Sequence, residues 1–154
     1  MLTFDVNLQG LEDQLDALNN KAKKAARLAS KAGAAVYYNA IKSAAPKSAR
    51  GHWFQGTSAK KAQGTAAKQA ASYWFESGSL KGAVYQVFCK ESTLQHPEYQ
   101  IAWNHRKVPY GFMVAFGTKH GTRPNNFVAK GGASVAGTAR QTMLAKFDEV
   151  LNER

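Results

Sequence analysis

Cysteine is nearly absent: Cys89 is the one thiol in 154 residues. A lone thiol excludes an intrachain disulfide and any site built from several thiolates, so stability has to come from packing, self-association or both. Long apolar runs are missing too, none approaching the ~20 residues of a membrane helix. The opening MLTFDVNLQG has neither a basic start nor a continuous apolar stretch, so the expectation is a protein made and kept in a cytoplasm, with no membrane contact.

Residues that carry chemistry are few and scattered. The four histidines stand at 52, 96, 105 and 120, none at the spacing of three or four that puts two ligands on one helix face, so no metal site is expected. Glu91 and Glu98 are the only carboxylates among the central strands, and both fall in a turn, which leaves no carboxylate pair for acid–base work. No serine, Ser92 included, sits in a nucleophile elbow that would join His105 in a triad. The stretch GTSAKKAQGT lacks the Gly-Lys-Ser/Thr ending of a phosphate loop. Neither a catalytic residue nor a cofactor is expected, and the chain reads as a non-enzyme.

Negative charge is also missing over a long stretch. Between Leu18 and Phe75 there is no Asp or Glu, while eleven cations stand there: Lys21, Lys23, Lys24, Arg27, Lys31, Lys42, Lys47, Arg50, Lys60, Lys61 and Lys68. The rest of the chain balances ten against ten, so the whole net charge of +11 sits in this block. A block of that kind suits a polyanion, because each neutralised phosphate releases counterions. It equally suits a solvated helix face that meets an acidic neighbouring subunit.

What is present is enough for a core. Hydrophobic content of 44% with 11% aromatic is globular, and a single domain over 1–154 is expected. LTFDVNL at 2–8 alternates as a short strand. Leu11, Leu15, Leu18, Ala22, Ala25, Ala29, Ala32, Val36 and Ala40 then form one stripe of a helix ending near Ala44, because Pro46 disfavours helical geometry at the residue before it. Lys23, Arg27 and Lys31 share another face as a ridge of cations. A basic excursion follows at about 47–75, flanked by His52, Trp53 and Phe54 on one side and Tyr73, Trp74 and Phe75 on the other. It reads as a hairpin anchored by its aromatic ends or as a mobile loop, with base stacking by Trp53 or Trp74 as a second use.

Three strands are expected next. In GAVYQVFCK, Ala83, Tyr85, Val87 and Cys89 oppose Val84 and Phe88, a pattern of burial on both faces; YQIAWN alternates cleanly; and GFMVAF puts Phe112, Val114 and Phe116 on one face. ESTLQHPE and HRKVPY are short enough for hairpins. Ser134 is placed as the cap of a last helix reaching Glu153, with Ala136, Ala139, Met143, Phe147 and Val150 inward. The fold class is α+β: a long N-terminal helix, an antiparallel sheet of about three to four strands and a C-terminal helix.

The segments SAAP, SGSLKGAVYQVF at 77–88, YQIAWNHRKVPYGFMVAFGT at 99–118 and NNFV before the last helix, taken in that order, resemble the neck or tail-completion proteins of long-tailed phages. This is the tail-component family typified by the tenth gene product of a lambdoid coliphage. The motif residues are Pro46, Gly78, Leu80, Tyr110, Phe116, Gly117 and Thr118. Phe-Gly-Thr is taken as a strand terminus, with Gly117 at positive φ and Thr118 bonded to turn backbone. The chain departs from the family at Ala115, where Glu is common, and at PNNFVAKGGA, where a Pro-Phe-hydrophobic-Arg-Pro-Ala run is common.

The resemblance implies a structural virion protein of the neck or upper tail, assembled in the host cytoplasm. It would be a ring subunit, six-fold favoured, joining the DNA-filled head to the tail beside head-closure and tail proteins. Its DNA-facing or subunit-contact residues would be Lys21, Lys23, Lys24, Arg27, Lys31, Lys60, Lys61 and Lys68. The alternative is a sequence-independent nucleic-acid-binding module; a third reading is a small hydrolase or nuclease using His105 or His120.

Overall fold

The computed structural model describes residues 9–55, 72–93, 96–119 and 121–153. The strand expected at 2–8 lies outside them, as does the middle of the basic excursion. The element order is α1 (Gln9–Ala44), β1 (His52–Gln55), β2 (Ser72–Phe75), α2 (Ser79–Gly82), β3 (Val84–Phe88), β4 (Tyr99–Trp103), α3 (Gly111–Phe116) and α4 (Phe127–Asn152). The fold is α+β, with a long N-terminal helix, antiparallel strands and a C-terminal helix. Its four strands form two two-stranded sheets, β1–β2 and β3–β4. The described residues fall into two compact units: one takes those within 1–36, 87–100 and 136–154, the other those within 37–86 and 101–135.

In the first unit α1 and α4 run antiparallel. A Cβ on Gly33 would lie 2.4 Å from Cγ of Met143, so the helices approach closely there, and Lys21 Nζ donates to the carbonyl of Glu153 at the far end of the contact. Ala25 and Ala29, the small part of the predicted stripe, are buried. The large part is not: Leu11, Leu15 and Leu18 are 54%, 56% and 59% exposed. All of residues 9–20 are exposed.

The second unit holds the hydrophobic core, in which Ile41, Ala45, Leu80, Ala83, Val84, Val108, Ala115 and Phe127 are buried together. α1 stops at Ala44, as Pro46 requires. Its last turns cross α4 at very short range, since a Cβ on Gly131 would lie 2.8 Å from Cα of Ile41.

Five expectations need correction. GFMVAF is a helix, because Gly111 and Ala115, four apart, form the buried face while Phe112, Met113 and Phe116 point outward. The alternation predicts a strand with Phe112, Val114 and Phe116 on one face, and over six residues periods of 2 and 3.6 are hard to separate. Phe-Gly-Thr therefore ends a helix, and HRKVPY leads into that helix instead of making a hairpin. β3 is buried on one side only, with Val84 4% and Val87 44% exposed. Finally, α4 starts at Phe127, not Ser134: Asn126 Oδ1 accepts from the backbone of Ala129 at 3.2 Å, capping the helix one full segment earlier. Gly131 and Gly132 hid that start, since glycine disfavours helices until close packing demands it.

Candidate functional site

The ridge of cations becomes a groove. Lys23, Lys24, Arg27 and Lys31 of α1 line a cavity of about 560 Å³ together with Asn20, Leu28 and Tyr99 of β4, all within the first unit. Residues four apart on a helix stand one above another, which is why Lys23, Arg27 and Lys31 line the same wall. Its aromatic side is built by the β3–β4 hairpin: Phe88 and Tyr99 meet edge-on at 5.2 Å, and the Arg27 guanidinium lies 5.0 Å over the Phe88 ring. That contact holds Arg27 in place. No carboxylate lines the groove. Among the described residues the ion pair found is Lys146–Glu149, so none of these four cations is neutralised by a described acid. The groove is thus an anion-seeking surface with a carbon floor.

Lys21 stands apart from it, bonded to the backbone of Glu153. Lys60, Lys61 and Lys68 lie outside the described residues.

The residues that carry the resemblance lie elsewhere, in the second unit. Pro46, Gly78, Leu80 and Tyr110 line one pocket of about 240 Å³ with Lys47, Ser48, His52 and Val114. Leu80 is 2% exposed, and Gly78 takes φ 89° to start α2. Burial pushes the Tyr110 phenol above its ordinary pKa, while a hydrogen bond with the Leu80 backbone pulls it down. Gly117 has φ 78°, the left-handed value expected for it, and Thr118 Oγ1 accepts from the Thr122 backbone at 3.3 Å. Phe116 is exposed. These residues shape and close the core, and all but Phe116 and Thr118 act through packing or backbone geometry.

Sequence reasoning had the hairpin ends right in kind but missed their division of labour. His52 pairs with Phe75, Trp53 with Trp74 and Phe54 with Tyr73 across β1–β2. His52, Phe54 and Phe75 pack on Tyr110, with ring centroids 4.8, 6.1 and 4.9 Å away. Trp53 and Trp74 meet edge-on at 5.4 Å on the other face, and both are exposed. The alternation of the strands carried that signal.

Among the described residues no three His, Cys, Asp or Glu side chains gather as a metal group, and no helix is long and apolar enough to cross a membrane. His105 lies exposed in the turn after β4; His120 lies outside the described residues. No protein-family model, no curated protein and no solved structure matches this chain.

Proposed function

We propose that the chain is a structural subunit of the neck of a long-tailed phage. It forms a ring that joins the filled head to the tail, surrounds the DNA channel and catalyses nothing. The observation that carries the reading is the surface a lone chain leaves unsatisfied. Three leucines on one stripe of α1, all more than half exposed, stand in the first three turns of the helix, where every residue from 9 to 20 is exposed. Exposed apolar stripes of that length are features of protein interfaces. A contact between two different patches, repeated about an axis, closes into a ring. The ordered motif segments supply the phage assignment, and the net charge of +11 suits a passage for duplex DNA.

Purified protein should form closed oligomers alone or on tail tubes, seen by sedimentation and negative-stain microscopy. A chain that stays monomeric and never joins tails overturns the reading. The second reading, a sequence-independent nucleic-acid-binding module, draws on the four cations and absent carboxylates of the groove. It requires duplex binding by the monomer with a steep salt slope.

A further inference from the structure

We infer that the groove lined by Lys23, Lys24, Arg27 and Lys31 receives the first three turns of α1 from a second copy of this chain. The inference rests on the ring reading above and names the two surfaces that meet. Residues 9–20, QGLEDQLDALNN, carry Glu12, Asp13 and Asp16 and no cation. They form an exposed, acidic, amphipathic helix end with Leu11, Leu15 and Leu18 along one side. The same helix then turns basic at Lys21, so each chain carries one acidic and one basic surface in the same unit.

Three features make the surfaces complementary. Charge is the first: three carboxylates meet four cations that no described acid neutralises. Spacing is the second. Glu12 and Asp16 are four residues apart, as are Lys23, Arg27 and Lys31; both rows therefore repeat at one helical turn, ~6 Å. The floor is the third. Leu28 and the Tyr99 ring, with Phe88 behind Tyr99, are carbon surface suited to leucine side chains. A helix that lays an apolar side into a groove while its flank pairs with charges on the rim is a common recognition mode. A phosphate backbone would use the cations and leave the floor unused, since its contacts are polar and charged. The observations therefore favour the acidic helix over DNA at this groove.

The contact is heterologous: the acidic end of one copy enters the basic groove of the next, whose own acidic end remains free to enter a third. Repeated about an axis it generates a ring, and partial burial makes it weaken with salt without vanishing.

Charge reversal tests it. The full chain is made as E12K/D16K, as K23E/R27E and with all four changes, and self-association is followed by sedimentation. Each double variant should raise the concentration of half-association at least tenfold. The four-change chain, and an equimolar mixture of the two doubles, should regain association near the wild-type level. Glu12 and Asp16 are exposed, so E12K/D16K tests assembly without touching the core even if the groove variant unfolds. Wild-type chain that assembles, with both doubles assembling equally well or with no recovery in the mixture and the four-change chain, overturns this inference alone. K23E/R27E that assembles normally but loses duplex DNA overturns it too and gives the groove to DNA. Wild-type chain that never self-associates overturns this inference together with the ring.

Discussion

Lys21 Nζ donates to the main-chain carbonyl of Glu153, which fixes the level on α1 where α4 gives out. α4 itself ends at Asn152. The stripe behind that level, Ala25 and Ala29, is buried; Leu18, Leu15 and Leu11 ahead of it are exposed. An isolated helix of about twelve residues is marginal in water, so these turns gain from a partner.

Replacing Leu11, Leu15 and Leu18 together by Gln should therefore leave the folded chain nearly as stable as before. Each change should stay within about 0.5 kcal/mol, as for surface positions elsewhere. Urea unfolding checks this, while sedimentation should show weakened self-association. A large loss of stability in the lone chain would mean that the leucines are covered within it.

Gly131→Ala and Gly137→Ala form a matched pair on α4. At Gly131 a Cβ meets backbone, Cα of Ile41 at 2.8 Å and its nitrogen at 3.0 Å, which cannot rotate aside. A loss of about 1 to 3 kcal/mol is expected. At Gly137 nothing lies within 4 Å, so alanine should add about 0.8 to 1 kcal/mol through helix propensity. Chemical denaturation of both variants should move in opposite directions.

Gly117→Ala should destabilise by about 1 to 3 kcal/mol, the usual size for a strained backbone site. Its φ is 78°, and a Cβ would lie 2.7 Å from the carbonyl oxygen of Thr122. That carbonyl also accepts from the Thr118 backbone at 3.0 Å, so the turn after α3 should loosen, seen as faster amide exchange at Thr118. Unchanged exchange and an unchanged melting curve would rule the account out.

Tyr110 sets an alkaline limit. Burial raises its pKa above 10.0, so above that pH the native chain keeps a proton that the unfolded chain has lost. Native protein binding more protons means that stability falls as pH rises, from about the unfolded value near 10 up through the raised native value. Tyr110→Phe removes that proton and should flatten the fall. Stability measured against pH in both proteins checks it; parallel curves would show that Tyr110 contributes nothing to the slope.

Elements with long, one-signed patterns were legible from the chain alone. α1 and its end before Pro46 followed from the 3.6-residue stripe and one proline, and the cation ridge from four-residue spacing. The β3–β4 hairpin followed from alternation on either side of a short connector. α3 was not legible, because six residues with apolar side chains at 112, 114 and 116 fit a strand as well as a helix until Gly111 and Ala115 find the core. A Cβ on Gly111 would lie 2.3 Å from Nε1 of Trp103, a contact no local pattern encodes.

The candidate site divides the same way. Composition and spacing determined that a one-sided, basic helix face would exist, because charge and helical period are properties of the chain. They could not determine that Tyr99, roughly seventy residues away in sequence and packed edge-on against Phe88, would give that face a carbon floor. Nor could they determine that α4 would cover the alanines and stop short of the leucines. Those outcomes depend on where distant segments pack and end, and burial is decided by neighbours in space that local sequence does not contain.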